Sequence, residues 1–243
     1  MGSMLAQLRL AVSFLTIIPM GQVSSDPADL NGSFGWFPLI GFLLGVSLAC
    51  VDYILAFIIQ AAVRSTLVIL ALAVVTGGLH LDGLADTADA LGAGHDRQRA
   101  LTILRDSHIG TFGTIAVFFI LALKIVALGS ANQGRRFALY LAPGIARWSM
   151  VALAYNFDYL RTQGAGSALL GIRSRRNLGL ATIIALLAML PVPAAYAIRG
   201  VAAGVIITWG CRIFYARWLG GVTGDLVGAT GELVETAVLL AMS

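Results

Sequence analysis

Long apolar runs separated by short polar breaks dominate this chain, and their lengths set the first expectation. A helix needs roughly 20 mostly apolar residues to cross a bilayer. Seven stretches meet or approach that length: 36–62, 65–79, 111–131, 137–157, 178–198, 201–219 and 226–242. The second is short unless it continues into 80–91, and the last carries Glu232 and Glu235. Residues 4–19, with Arg9 inside and Pro19 at the end, read as an amphipathic helix lying on the membrane surface. Strand alternation is absent, and only helices or closed barrels satisfy the backbone in lipid. The expected fold is all-α, a polytopic integral membrane helical bundle of about 6–8 transmembrane helices in a single domain, 1–243.

Composition agrees with the pattern. Of 243 residues, 58% are hydrophobic and 12% charged, against about 25% charged in a soluble domain. Residues 1–3, ahead of Met4, read as a scar of expression engineering, and no cleavable signal follows them. A net charge of +4 on such a chain reflects loops at the inner membrane face, so no nucleic-acid partner is expected. Cys50 and Cys211 stand singly in apolar segments, which excludes a CxxC zinc site and reads as buried bystanders.

Basic residues give the orientation. Arg97, Arg99 and Arg105 lie in 80–110, Arg161, Arg173, Arg175 and Arg176 in 158–177, and Arg217 flanks the turn at 219–225. The other connections hold Arg64, Arg135, Arg136 and Arg199. The richer set should be cytoplasmic. Two spans separate each pair of rich loops, so all three should emerge together on one face.

Candidate chemistry falls on that face. In "GGLHLDGLADTADAL" (77–91), Asp82, Asp86 and Asp89 stand at i, i+4 and i+7. On a helix they occupy a stripe about 60° wide. Like charges so placed destabilise a helix, and a divalent cation reverses the sign. Oxygen ligands with positions left for phosphate or water are the Mg²⁺ pattern. The bland reading is a solvated helix end. A second acidic group, Asp225, Glu232 and Glu235, follows "GGVTGD", with Asp225 expected to cap the last helix. Carboxylates inside an apolar helix usually face a polar interior; the alternative is a buried pairing of the glutamates with Arg147 or Arg212. Asp106 and His108 share a short polar segment, where His108 reads either as a general base or as a plain loop histidine. His80 and His95 are weaker candidates. Arg147, Arg161, Arg173, Arg175 and Arg176 are candidates for gripping phosphate oxygens, the last three reading otherwise as a positive-inside flank. Lys124 and Asp52, both inside spans toward the outer leaflet, read as an ion pair.

Three of these stretches together resemble the cobalamin synthase (adenosylcobinamide-GDP ribazoletransferase) family: "TGGLHLDGLADTADAL", "LRDSHIGTFG" and "GGVTGDLVGATGELVE". "FLTIIP", "FPLIG", "ARW" at 146–148 and "YLRTQGAG" at 159–166 extend the likeness over nearly the whole chain. The resemblance implies a bacterial inner-membrane enzyme that joins adenosylcobinamide-GDP to α-ribazole, or its 5′-phosphate, releasing GMP with Mg²⁺ present. It would complete the nucleotide loop of coenzyme B12. On that reading Asp82, Asp86 and Asp89 hold metal, with Asp82, Asp86, His108 and Asp225 in the chemistry. His80, Arg105, Asp106, Arg147, Arg161, Glu232 and Glu235 then bind substrate. A homo-oligomer stays open. Two rival readings exist. A CDP-alcohol phosphotransferase should continue from Asp-Gly into Ala-Arg, whereas here "LADTADAL" follows. An ion-coupled transporter should show repeat-related halves, which are not visible.

Overall fold

A computed structural model describes residues 3–94, 96–106, 108–160 and 174–243. Its elements in chain order are α1 (Met4–Leu15), α2 (Pro27–Ser33), α3 (Phe37–Leu55), α4 (Ala61–Val75), α5 (Leu79–Leu91) and α6 (Arg97–Ile103). They continue as α7 (Thr111–Ser130), α8 (Arg135–Ala154), α9 (Arg175–Met189), α10 (Ala194–Trp218) and α11 (Gly224–Leu240). Among the described residues the sheet-like contact is one isolated bridge, Tyr159 to Val222. The protein is an all-α membrane helical bundle.

Among the described residues, four segments are long and apolar enough to cross a membrane: Pro27–Leu55, Thr111–Ser130, Asn132–Ala154 and Ala194–Trp218. A fifth qualifies only as the bent pair α4 and α5. The shorter α9 and α11, at 15 and 17 residues, complete the bundle. At 12 residues α1 is too short to span.

Helix α8 is the hub. It packs on α3, α11, α10 and α9, and much of its length is buried. Glycines spaced four apart on α3, Gly41 and Gly45, let it settle onto the α8 backbone at Pro143 and Tyr140. Small residues at such spacing allow the close backbone approach by which helices associate in lipid.

Three expected boundaries moved, the first being the break at 63–64, which lies at 56–60 between α3 and α4. The break placed at 199–200 lies at 190–193 instead, because Pro191 and Pro193 end one helix and start the next while Arg199 and Gly200 continue α10. The stretch 65–79 neither stops in water nor runs straight on. Helix α4 ends in a Schellman motif: the N–H of Gly78 donates to Ala73 and that of Gly77 to Val74. Gly77 and Gly78 both take positive φ (62° and 66°), which only glycine adopts cheaply, and α5 departs at 89° to α4. The chain after α1 braces this elbow. Ile17 donates its N–H to Val75 at 2.8 Å, and a Cβ on Gly77 would meet the Ile17 side chain.

Candidate active site

Because α5 turns away at a right angle, it crosses one end of the bundle, and α11 starts beneath it. Gly83 lies so close to α11 that a Cβ there would stand 2.8 Å from the carbonyl oxygen of Asp225. The first acidic helix and the second acidic group therefore meet backbone to backbone. The described ends of the three arginine-bearing loops converge on the same end. Arg97 Nε donates to the Leu219 carbonyl at 2.9 Å, Trp218 Nε1 donates to Gly94 at 3.4 Å, and Leu160 and Val222 are joined through the short bridge.

The three aspartates of α5 have different surroundings. Asp82 is exposed, and Asp86 is half-buried. Both oxygens of Asp89 are engaged: Oδ2 accepts from Gly110 N–H at 2.7 Å and Oδ1 from Gly113 N–H at 2.9 Å. Asp89 thus satisfies free N–H groups at the start of α7, where the helix dipole favours negative charge. Glycine at 110 and 113 leaves room for it, since a Cβ at either would run into the carboxylate. Among the described residues, no three His, Cys, Asp or Glu side chains converge as a ready metal cage. The N-cap of α11 is Thr223, not Asp225: Thr223 Oγ1 accepts from Leu226 N–H, and Asp225 sits in the first turn with Oδ2 3.2 Å from the Thr223 hydroxyl.

Deeper in the bundle, α11 carries a closed charge network. Lys124 Nζ on α7 donates to Glu232 Oε2 and Glu235 Oε1, each at 2.5 Å. Arg147 Nη1 on α8 donates to the other Glu235 oxygen at 2.6 Å, and its Nη2 lies 3.5 Å from His80 Nδ1 on α5. Arg147 is 1% exposed, Glu235 and Lys124 2%, and His80 3%. Two cations thus match two anions, so Arg147, Glu232, Glu235 and His80 face one another rather than the surface where Asp82 lies. The alternative pairing of Glu235 with Arg147 is the one present; Arg212 instead donates to the carbonyls of Leu153, Tyr155 and Asn156 at the end of α8. Lys124 and Asp52 do not pair. Asp52 is held at the far end of the bundle by Arg135 at 2.6 Å and Arg64 at 2.9 Å. Depth along a helix does not fix azimuth: Lys124 faces α11, and Asp52 faces α4 and α8.

In the segment before α7, His108 Nδ1 lies 2.5 Å from Asp106 Oδ1. Hydrogen bonding to this carboxylate holds the imidazole above its ordinary range, and the same bond lowers Asp106. Both are solvent-exposed, as is Arg105. Arg161, Arg173 and His95 lie outside the described residues. Neither cysteine is paired, and Cys50 is exposed on α3 rather than buried, as a thiol facing lipid can be.

The family model for cobalamin-5-phosphate synthase matches residues 7–243. An adenosylcobinamide-GDP ribazoletransferase of Desulforamulus reducens is 38% identical over 240 residues, covering 97% of this chain and 95% of the relative. Its counterpart from Syntrophobacter fumaroxidans is 38% identical over 240 residues, with 95% of each covered. That of Geotalea daltonii is 35% identical over 236 residues, covering 96% and 94%. No solved structure matches. A match of this extent, with the acidic helix and the start of α11 in contact, has one consequence: the chain belongs to the cobalamin-5-phosphate synthase family.

Proposed function

We propose that this protein is the transferase that joins adenosylcobinamide-GDP to α-ribazole, or its 5′-phosphate, with release of GMP, and that Asp82 and Asp86 hold Mg²⁺ for it. The observation that carries the reading is the apposition of α5 and α11 at Gly83 and Asp225, where the arginine-bearing loops also meet. The donor set fits the ion: Mg²⁺ is commonly held by one or two carboxylates together with waters and substrate phosphates, not by an all-protein cage. Asp82 and Asp86 at i, i+4 on one helix face supply such a pair, while Asp89 anchors α7. When bound, the cation neutralises negative charge on a diphosphate and on its leaving group.

The chain's own groups do the rest. Exposed Arg105 is available to grip phosphate oxygens. The ribazole 3′-hydroxyl attacks the phosphorus on the cobinamide side. A new P–O bond forms, the P–O–P bridge breaks, and GMP leaves with the bridging oxygen. The hydroxyl proton passes to a carboxylate of the site or to His108, whose ring Asp106 orients through Nδ1. No protein nucleophile is required. The active site belongs to the cytoplasmic face of a bacterial inner membrane, following the arginine asymmetry.

The test is turnover by protein purified in detergent. GMP should appear only when the corrinoid-GDP, ribazole and Mg²⁺ are all present, and EDTA should stop it. Asp82→Asn or Asp86→Asn should abolish release while the variant keeps its helical content and melting profile. A wild-type rate from either variant at saturating Mg²⁺ would overturn the metal assignment. Accumulation of the corrinoid in vesicles without GMP release would overturn the transferase.

A further inference from the structure

Helices α9 and α10 both pack on α8 but scarcely touch each other, leaving a cleft that opens sideways into the bilayer. Its deep part is a cavity of about 180 Å³ walled by Ile145, Thr182, Leu186, Met189 and Val201 among others, with the Thr182 hydroxyl taken up by Trp148 Nε1. A second cavity of about 370 Å³ adjoins it, and Trp148 and Val205 line both. This upper part holds Tyr155, Asn156, Thr208, Trp209 and Arg212, at the end of α8 that leads to the Val222 bridge.

We infer that this cleft binds one acyl chain of an anionic phospholipid, with the lipid phosphate at Arg212. Depth is the first argument. From Arg212 to Val201 along α10 the groove falls about 16 Å at 1.5 Å per residue, close to the roughly 15 Å of one leaflet's hydrocarbon. Polarity is the second. The deep walls are apolar but for Thr182, whose hydroxyl accepts from Trp148 Nε1, and those above Val205 are polar and aromatic, which is the order along a phospholipid from chain to headgroup. Trp and Tyr rings favour that interfacial level.

Charge is the third argument. Arg212 is half-buried, and its Nη groups reach only backbone carbonyls and lie over the Phe157 ring, with no carboxylate among the described residues in ion-pair contact. Exposed Arg175 and Arg176 begin α9 at the same end, beside Leu178 of the upper cavity. A phosphate supplies the missing negative charge. The inference rests on the fold alone and is independent of the transferase reading.

Native mass spectrometry of protein purified in a mild detergent tests it. Wild-type chains should retain bound phospholipid and, after exchange into defined mixtures, prefer phosphatidylglycerol to phosphatidylcholine. Val205→Trp places a ring into open space where the two cavities join. It should lower retention at least about tenfold, equivalent to about 1.4 kcal/mol, with an unchanged melting temperature. Leu186→Trp blocks the deep cavity from the other wall and should act alike. Arg212→Gln should erase the headgroup preference while retaining the chain. Equal retention by both tryptophan variants would overturn the inference. So would a wild-type protein without bound lipid, or a wild-type dimer that the same substitutions dissociate, which would make a second copy of the chain the occupant.

Discussion

Replacing Lys124 with Met removes one cation from a network whose charges are balanced, and the cost follows from who remains. Lys124 Nζ contacts Glu232 and Glu235 at 2.5 Å each. At an effective dielectric of about 20, each contact is about 6–7 kcal/mol of gross attraction. Desolvation of the ions, several kcal/mol apiece, offsets much of this. The variant recovers the lysine's share of that offset but leaves Glu232 buried with no counter-ion contact in the network, since Arg147 binds Glu235. Breaking a buried pair in this way costs about 3–5 kcal/mol. Lys124→Met/Glu232→Gln takes out one charge of each sign, leaves Glu235 on Arg147, and should return to within about 1–2 kcal/mol of wild type, because neutral replacements of buried pairs are often tolerated. Unfolding in mixed micelles of a mild detergent and SDS, followed by circular dichroism, measures wild type, Lys124→Met, Glu232→Gln and the double variant. A loss below about 1 kcal/mol for Lys124→Met, or a double variant whose loss equals the sum of the two singles, would refute the argument that the charges act as one unit.

Other consequences are nearer the site. Gly83→Val drives a branched side chain into the Asp225 backbone and should cost about 1–3 kcal/mol together with most of the turnover; normal turnover would show that the α5–α11 contact is dispensable. Asp89→Asn puts an amide where two N–H donors converge, so amide hydrogen exchange at residues 110–114 should accelerate and stability fall by about 1–3 kcal/mol. For pH, His108 is raised and Asp106 lowered by their mutual bond. The pair should therefore persist above the ordinary imidazole value of about 6.5, break as pH climbs through the raised value, and survive acid below the usual Asp range. Asp106→Asn should move the His108 titration down, read by NMR of ¹³C-labelled histidine, and an unmoved titration would contradict the pairing.

What the chain announced in advance was set by patterns that act locally or by counting. Apolar runs gave the helices, and the parity of spans between arginine-bearing loops correctly put 94, 160 and 219 at one end. The i, i+4, i+7 aspartates share a helix because spacing alone decides that. Partners were less legible, since a sequence gives depth along a helix but not which neighbour its face meets. Charge balance carries the missing information. Two intramembrane glutamates need two intramembrane cations, and with Arg147 alone the balance called for Lys124 as well. Likewise Asp89 seemed equivalent to Asp82 and Asp86, because the N–H groups it satisfies come from Gly110 and Gly113, more than 20 residues on. The elbow was marked by "TGG", but a glycine pair announces a stop without its angle.

That elbow ties the site to the thickness of the membrane. Helix α4 has 15 residues, about 22 Å at 1.5 Å per residue, some 8 Å short of a hydrocarbon layer of about 30 Å. The shortfall must be met by local thinning, or by α5 riding below the headgroups. Since α5 leaves α4 at 89°, the height of the one in the bilayer bears on the depth of the aspartates on the other. Thin membranes would present them to water; thick ones would sink them.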